Sequence, residues 1–261
     1  MHVNFKGFYF ILFIIIAALI YIYAVPYIKH LLLHHETKKL YASLETDELR
    51  WQVYDVSTRE RNIYLYEAGN GETLTLIMAA FHGDEQNSFH LAVELARSIH
   101  QNPKQIKNRV VIVPVINPDG LMKRTRTNAN GVDINRNFPT ENWTPVYQKK
   151  KNYPGYSAGS EKETTVVINL LNQFQPDRII AIHAPLKMNN FDGPARELAE
   201  IMSRYNGYPA VAEIGYPTPG SLGTYAGVEM KIPIVTLELP DISPAKAWEQ
   251  NAEALVRAIN F

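Results

Sequence analysis

Leu74-Thr-Leu-Ile-Met-Ala-Ala-Phe-His-Gly-Asp-Glu85 is the stretch on which the reading of this chain turns. From Leu74 to Phe81 it is apolar apart from one threonine, the composition of a strand buried on both faces of a parallel sheet. A tight polar turn follows, and Phe89 to Ile99 then repeats apolar residues at helical spacing. The same alternation recurs outward. Arg109-Val-Val-Ile-Val-Pro-Val-Ile reads as a second buried strand, Glu161 to Phe174 as a helix, and Arg178-Ile-Ile-Ala-Ile as a strand. Ile234-Val-Thr-Leu reads as another strand and Pro244 to Ile259 as a closing helix, while Gln52 to Val56 and Asn62 to Glu67 alternate like antiparallel strands. The fold expected is α/β, a three-layer α/β/α sandwich around a mixed, mostly parallel sheet. Active sites in such sheets lie beyond the carboxyl ends of the strands.

The composition narrows the chemistry. Of 261 residues, 46% are apolar and 20% charged, enough for one substantial core. Lys plus Arg and Asp plus Glu both number 26, so no global field draws nucleic acid, which is not an expected partner. There is no cysteine, which excludes disulfides, thiolate ligands and thiol nucleophiles, and leaves His, Asp and Glu as ligands for a transition metal.

The first segment is of another kind. From Gly7 to Ile28 no charge interrupts an apolar run long enough to cross a bilayer core as a helix. Tyr9, Tyr21, Tyr23 and Tyr27 lie toward its ends, where aromatic rings favour the interface. Residues 1–28 are read as a signal anchor, a single transmembrane helix in the inner membrane; a cleaved signal peptide and a buried core helix are the alternatives. Lys6 lies on one side and Lys29, Lys38 and Lys39 on the other, so charge alone leaves the orientation open. Residues 29–50 are expected to be a stalk or spacer, and 51–261 the folded domain that carries the protein's chemistry, if any.

Three strand ends carry groups with chemistry. His82 and Glu85 stand three apart on the turn after the first buried strand. His183 ends Ile180-Ala-Ile-His, and these three could form an open His₂Glu zinc site, although a satisfied core imidazole is the alternative for His183. Glu238 ends Pro233-Ile-Val-Thr-Leu-Glu, where a carboxylate costs heavily if buried without a partner. Between them runs a polar loop with Asn117-Pro-Asp-Gly, Arg124, Arg126 and Gly131-Val-Asp-Ile-Asn-Arg136-Asn-Phe-Pro. Its arginines could grip a substrate carboxylate or an oxyanion, against the plainer reading of a solvated loop.

In this order, His82-x-x-Glu85, Asn117-Pro-Asp-Gly, Asp133-x-Asn-Arg-Asn-Phe, His183 and Thr236-Leu-Glu-Leu resemble the zinc carboxypeptidase family typified by carboxypeptidase A. The resemblance implies one Zn²⁺ held by His82, Glu85 and His183, with Glu238 as the catalytic glutamate. It also implies Arg126 as the oxyanion-stabilising arginine, Asn135 with Arg136 as the grip on a terminal carboxylate, and Tyr216, with Tyr225 as competitor, as the mobile tyrosine over the substrate. Within the family, His183-Ala-Pro-Leu, Phe191-Asp-Gly-Pro-Ala and Tyr216-Pro-Thr-Pro-Gly-Ser-Leu-Gly resemble the bacterial murein peptide amidase A group. That group cleaves the γ-D-glutamyl–meso-diaminopimelate bond of wall peptides, which implies a murein tripeptide partner and a periplasmic catalytic domain. The family's specificity positions fall near Gly223 and Thr224, both small, and Asp192 is a candidate to meet the far ammonium of diaminopimelate, unless it merely caps its loop. Three rivals stay open: a general metallocarboxypeptidase, an N-acyl amino acid deacylase, and a peptidoglycan-binding protein without catalysis.

Overall fold

The computed structural model describes residues 5–261, so the first four residues of the expected anchor lie outside the described part. The chain falls into two compact units divided after Ser43. The first is helical: α1 (Phe5–Leu19) passes through a π turn at Ile20–Ala24 into α2 (Val25–Ser43). Pro26 accounts for the turn, since it offers no N–H to the carbonyl of Ile22 and the ladder widens locally, Val25 N–H reaching back to Ile20 O. One helix, Leu12–Thr46, is long and apolar enough to cross a membrane, by length and composition criteria that a signal sequence also meets.

The second unit, Leu44–Phe261, is built on one eight-stranded sheet in the order β1-β2-β4-β3-β5-β8-β6-β7. Its strands are β1 (Gln52–Val56), β2 (Asn62–Ala68), β3 (Leu74–Ala79), β4 (Arg109–Val113), β5 (Arg178–His183), β6 (Met188–Asp192), β7 (Ala210–Val211) and β8 (Ile234–Glu238). The middle strands β4, β3, β5 and β8 run parallel, and β1–β2, β2–β4 and β6–β8 are antiparallel pairs, so the sheet is mixed as expected. Every residue of β3 and β5 is buried. That is why their sequences run apolar without alternation.

Helices cover both faces. On one side α7 (Pro244–Ile259) packs against both α3 (Gln86–Gln101) and α6 (Arg196–Asn206). On the other, Val166, Val167, Leu170 and Leu171 of α5 (Lys162–Phe174) meet Leu74, Leu76 and Met78 of β3 and Ile179 and Ala181 of β5 in one continuous core. A short helix, α4 (Pro118–Lys123), follows β4. The sandwich expected from sequence is the one observed. The sequence reading missed β6, β7 and α6. β6 is Met-Asn-Asn-Phe-Asp, and its asparagines are buried through side-chain bonds: Asn189 Nδ2 donates to Tyr208 O at 3.2 Å and Asn190 Nδ2 to Val211 O at 3.1 Å. Polar residues bonded to neighbouring segments hide a strand from a hydrophobicity pattern.

Candidate active site

The turn after β3 is shaped by close approach. Ala80 takes a left-handed conformation, φ 48°, and its N–H donates to Ser88 Oγ at 3.1 Å, so the chain doubles back into α3. At Gly83 any Cβ would overlap the backbone of Gly120, which only glycine permits. Asn117 binds the two segments: its Oδ1 caps α4 by accepting Gly120 N at 2.8 Å, and its Nδ2 donates to Phe81 O at 3.1 Å and to Arg126 O at 3.5 Å. The Asn-Pro-Asp-Gly segment thus fastens the His82 turn to the Arg126 loop.

His82 and Glu85 project from that turn. His183 ends β5, and the parallel register pairs it with Glu238 of β8, which sets imidazole and carboxylate side by side. Glu85 bridges the rings, with His82 Nδ1 at 2.7 Å from Oε1 and His183 Nδ1 at 3.0 Å from Oε2. The two Nδ1 atoms stand 3.2 Å apart, and the ring of Phe81 stacks on His183 at 5.2 Å.

Asp133, fully buried, organises the far side. Its Oδ1 lies 2.9 Å from His82 Nε2, while its Oδ2 accepts from Arg126 Nε at 3.0 Å and pairs with Nη2 at 3.0 Å. Arg126 Nη1 reaches Glu85 Oε1 at 3.4 Å. A proton on Nε2, directed at Asp133, leaves Nδ1 of His82 as the lone-pair side.

The donor set fits a divalent cation. Three lone-pair donors, two imidazole nitrogens and a carboxylate, come within 4.8 Å of one another. Burial alone would depress His82, but the carboxylates of Glu85 and Asp133 outweigh it and push the imidazole up to about 9. Glu85 and Asp133 are held well below the usual carboxylate range despite their own burial, His82 being the first favourable neighbour of each. The spot therefore favours positive charge between its donors, which a divalent ion would supply.

A cavity of about 760 Å³ opens over this cluster and is also lined by Arg126, Asn135, Arg136, Asp192, Tyr216, Gly223 and Glu238. Glu238 is almost fully buried, and burial, reinforced by Glu85, raises its carboxyl above the ordinary range, with Leu186 N–H donating to Oε2 at 3.4 Å. Asn135 accepts Leu222 N–H on Oδ1 at 2.8 Å, which leaves its amide donors for other partners. Arg136 is buried and donates to Asn135 O at 2.6 Å. Tyr216 is half exposed at the cavity, whereas Tyr225 stacks on Phe138 at 5.6 Å against the core. Asp192 lies against Gly223, where a methyl group would overlap its carboxylate. Arg124, the third loop arginine, caps α4 with φ 55° and does not line the cavity. Sequence reasoning missed the work of Asp133 and Asn117, because their partners are distant in sequence: Asp133 meets His82 across 51 positions.

Residues 45–197, more than half of the chain, match the family profile described as zinc carboxypeptidase. The chain belongs to the zinc carboxypeptidase family. It is 32% identical over 197 residues to murein peptide amidase A of Escherichia coli K12, a match covering 71% of this chain and 79% of that protein. To murein peptide amidase A of Vibrio campbellii it is 34% identical over 193 residues, 69% and 75% of the two chains. The crystal structure of the murein-tripeptide amidase of Escherichia coli O157 superimposes with a TM-score of 0.68 at 30% identity, covering 81% of this chain and 92% of that one. Membership in this zinc-dependent family makes the protein a hydrolytic enzyme of the metallopeptidase or amidase kind, and His82, Glu85 and His183 are its candidate metal site.

Proposed function

We propose that the enzyme hydrolyses the amide bond between γ-D-glutamate and meso-diaminopimelate in murein peptides, with one Zn²⁺ held by His82, Glu85 and His183. The observation that carries the reading is the meeting, in one cavity, of this donor set with a buried carboxylate at Glu238 and the amide and guanidinium side chains of Asn135 and Arg136. The names of the murein-acting relatives supply the substrate class.

The metal, when bound, supplies the Lewis acidity that activates water and polarises the scissile carbonyl. The protein's own groups do the rest. Glu238 accepts the proton of the attacking water on its carboxylate and returns it to the leaving amine; its raised pKa brings the group closer to the operating pH, where such a shuttle is most effective. Arg126, oriented by Asp133, directs its remaining N–H donors at the oxygen that gains charge. Asn135 and Arg136 bind the carboxylate of the diaminopimelate residue, and Tyr216 closes over it. Asp192 meets the ammonium at the far end of that side chain: burial raises its carboxyl and a cation beside it favours the charged form, while the missing side chain of Gly223 leaves space for the Asp192 carboxylate itself. On this reading residues 1–28 anchor the enzyme in the inner membrane, residues 29–50 space it from the bilayer, and residues 51–261 work in the periplasm.

The test is digestion of purified muropeptides with mass spectrometry of the products, beside L-Ala-γ-D-Glu-meso-diaminopimelate, the same peptide ending in L-Lys, and peptides ending in Phe or Arg. Preference for the diaminopimelate peptide by roughly 10²-fold in kcat/KM is expected, because the second polar centre meets the half-buried Asp192 carboxylate. Equal or better cleavage of the Phe or Arg peptide replaces this reading with a general metallocarboxypeptidase.

A further inference from the structure

The cavity rim holds a group that the reaction above does not use. Lys149 and Lys151, on either side of Lys150 in a surface turn, line the cavity that contains His82 and Glu238. Both are exposed, and among the described residues neither forms an ion pair with a carboxylate. Arg126, by contrast, is paired to Asp133 and Glu85, and Arg136 is buried against Asn135 O. Lysines on a solvated turn are common, but this turn is fastened. Asp133 N–H donates to Tyr153 O at 2.8 Å, Asn137 Nδ2 to Pro154 O at 2.7 Å, and Asn152 N–H to Lys149 O at 2.8 Å. The rings of Tyr147 and Tyr153 meet edge to face at 5.1 Å. The two lysines are therefore carried by the same Asp133–Asn137 segment that holds Asn135 and Arg136. In a chain with formal net charge +0, this gives the cleft mouth a local cationic excess aimed at a second anion.

We propose that Lys149 and Lys151 bind the free α-carboxylate of the glutamyl residue on the acyl side of the scissile bond. The inference rests on the wall-peptide reading. A γ-linked glutamate spends its side-chain carboxyl in the amide, so its α-carboxylate stays ionised a few bonds from the scissile carbonyl. An ordinary α-linked peptide offers an anion there only where that residue is itself Glu or Asp. The lysines thus select the isopeptide on one side of the bond while Asn135 and Arg136 read the other.

The experiment compares, with the full-length enzyme, L-Ala-γ-D-Glu-meso-diaminopimelate and its α-carboxamide, in which the glutamyl carboxylate is a neutral amide of the same shape. Wild-type enzyme is expected to show a KM roughly fivefold lower for the acid, with similar kcat, in keeping with exposed ion pairs acting together. In Lys149→Met/Lys151→Met the ratio of the two KM values falls to near one, and Lys149→Arg/Lys151→Arg keeps it. Raising ionic strength shrinks the wild-type ratio, a measurement that needs no variant. Efficient cleavage of both peptides with equal KM by the wild type, or a ratio that survives in the Met variant, overturns the lysine assignment alone. If neither wall peptide is cleaved while a Phe or Arg peptide is, the substrate reading fails and the lysine assignment falls with it.

Discussion

At Asp133 one buried carboxylate holds an imidazole with one oxygen and a guanidinium with the other. Replacing it by asparagine keeps the shape but offers only one acceptor oxygen, so either His82 or Arg126 faces an amide NH₂. Asp133→Asn is expected to weaken zinc binding by about 10- to 100-fold, as loss of a partner behind a metal-binding histidine does, although no ligand is changed. A competitive titration against a zinc-chelating dye measures this, and an unchanged affinity removes Asp133 from its positioning role. Glu238 tests the complementary case. Glu238→Gln is expected to keep zinc and fold and to lower kcat by about 10³-fold or more, since an amide neither accepts nor returns the proton. Turnover near wild type in a zinc-loaded variant refutes the acid–base assignment. From sequence, His82, Glu85, His183 and Glu238 were legible as candidates because each follows or ends an apolar strand, where a polar residue needs a reason. Asp133 gave no such contrast: it sits in a loop already polar, and only tertiary structure brings it to His82.

Among the elements, the turn between β3 and α3 depends on a backbone contact rather than on any ligand. Gly83 N–H donates to Thr125 O at 2.9 Å, and a Cβ at that position would run into Gly120. Both segments are pinned by Asn117, so neither can yield cheaply. Gly83→Ala is therefore expected to cost about 1–3 kcal/mol, the range for strain in a backbone-locked site, and to lower zinc content although every proposed ligand is intact. Chemical denaturation and metal analysis on the same preparation check it, and a variant with wild-type midpoint and stoichiometric zinc disproves the close-approach account. The parallel strands and long helices were readable because burial on both faces, or on one helical stripe, leaves a periodic signature. β6 left none. Its buried asparagines are satisfied by segments that lie later in the chain, Tyr208 O and Val211 O of β7, so its strand character is a property of the assembled sheet edge. Asn117-Pro-Asp-Gly stood out as a motif, but its task of joining the His82 turn to the Arg126 loop depends on contacts 36 and 9 residues away.

For the whole molecule the proposed membrane anchor and its orientation are what an experiment must test, because lysines flank the apolar run on both sides. The chain contains no cysteine, so a single introduced thiol reports its location without background. Lys104, exposed in the short turn after α3 and outside the cavity lining, is a suitable place. Lys104→Cys in the full-length protein is expected to react with a membrane-impermeant maleimide in cells whose outer membrane is permeabilised but whose inner membrane is intact. The protein should also stay with the membrane fraction through a high-salt wash, since a spanning apolar helix is held by burial rather than by charge. These two readouts separate the alternatives for the first segment. A cleaved signal peptide gives labelling with release into the soluble periplasmic fraction and a shortened chain. Membrane retention with labelling only after lysis places the catalytic unit in the cytoplasm, where the same bond could be cut only in imported wall fragments, and it overturns the periplasmic assignment while leaving the chemistry of His82, Glu85, His183 and Glu238 untouched.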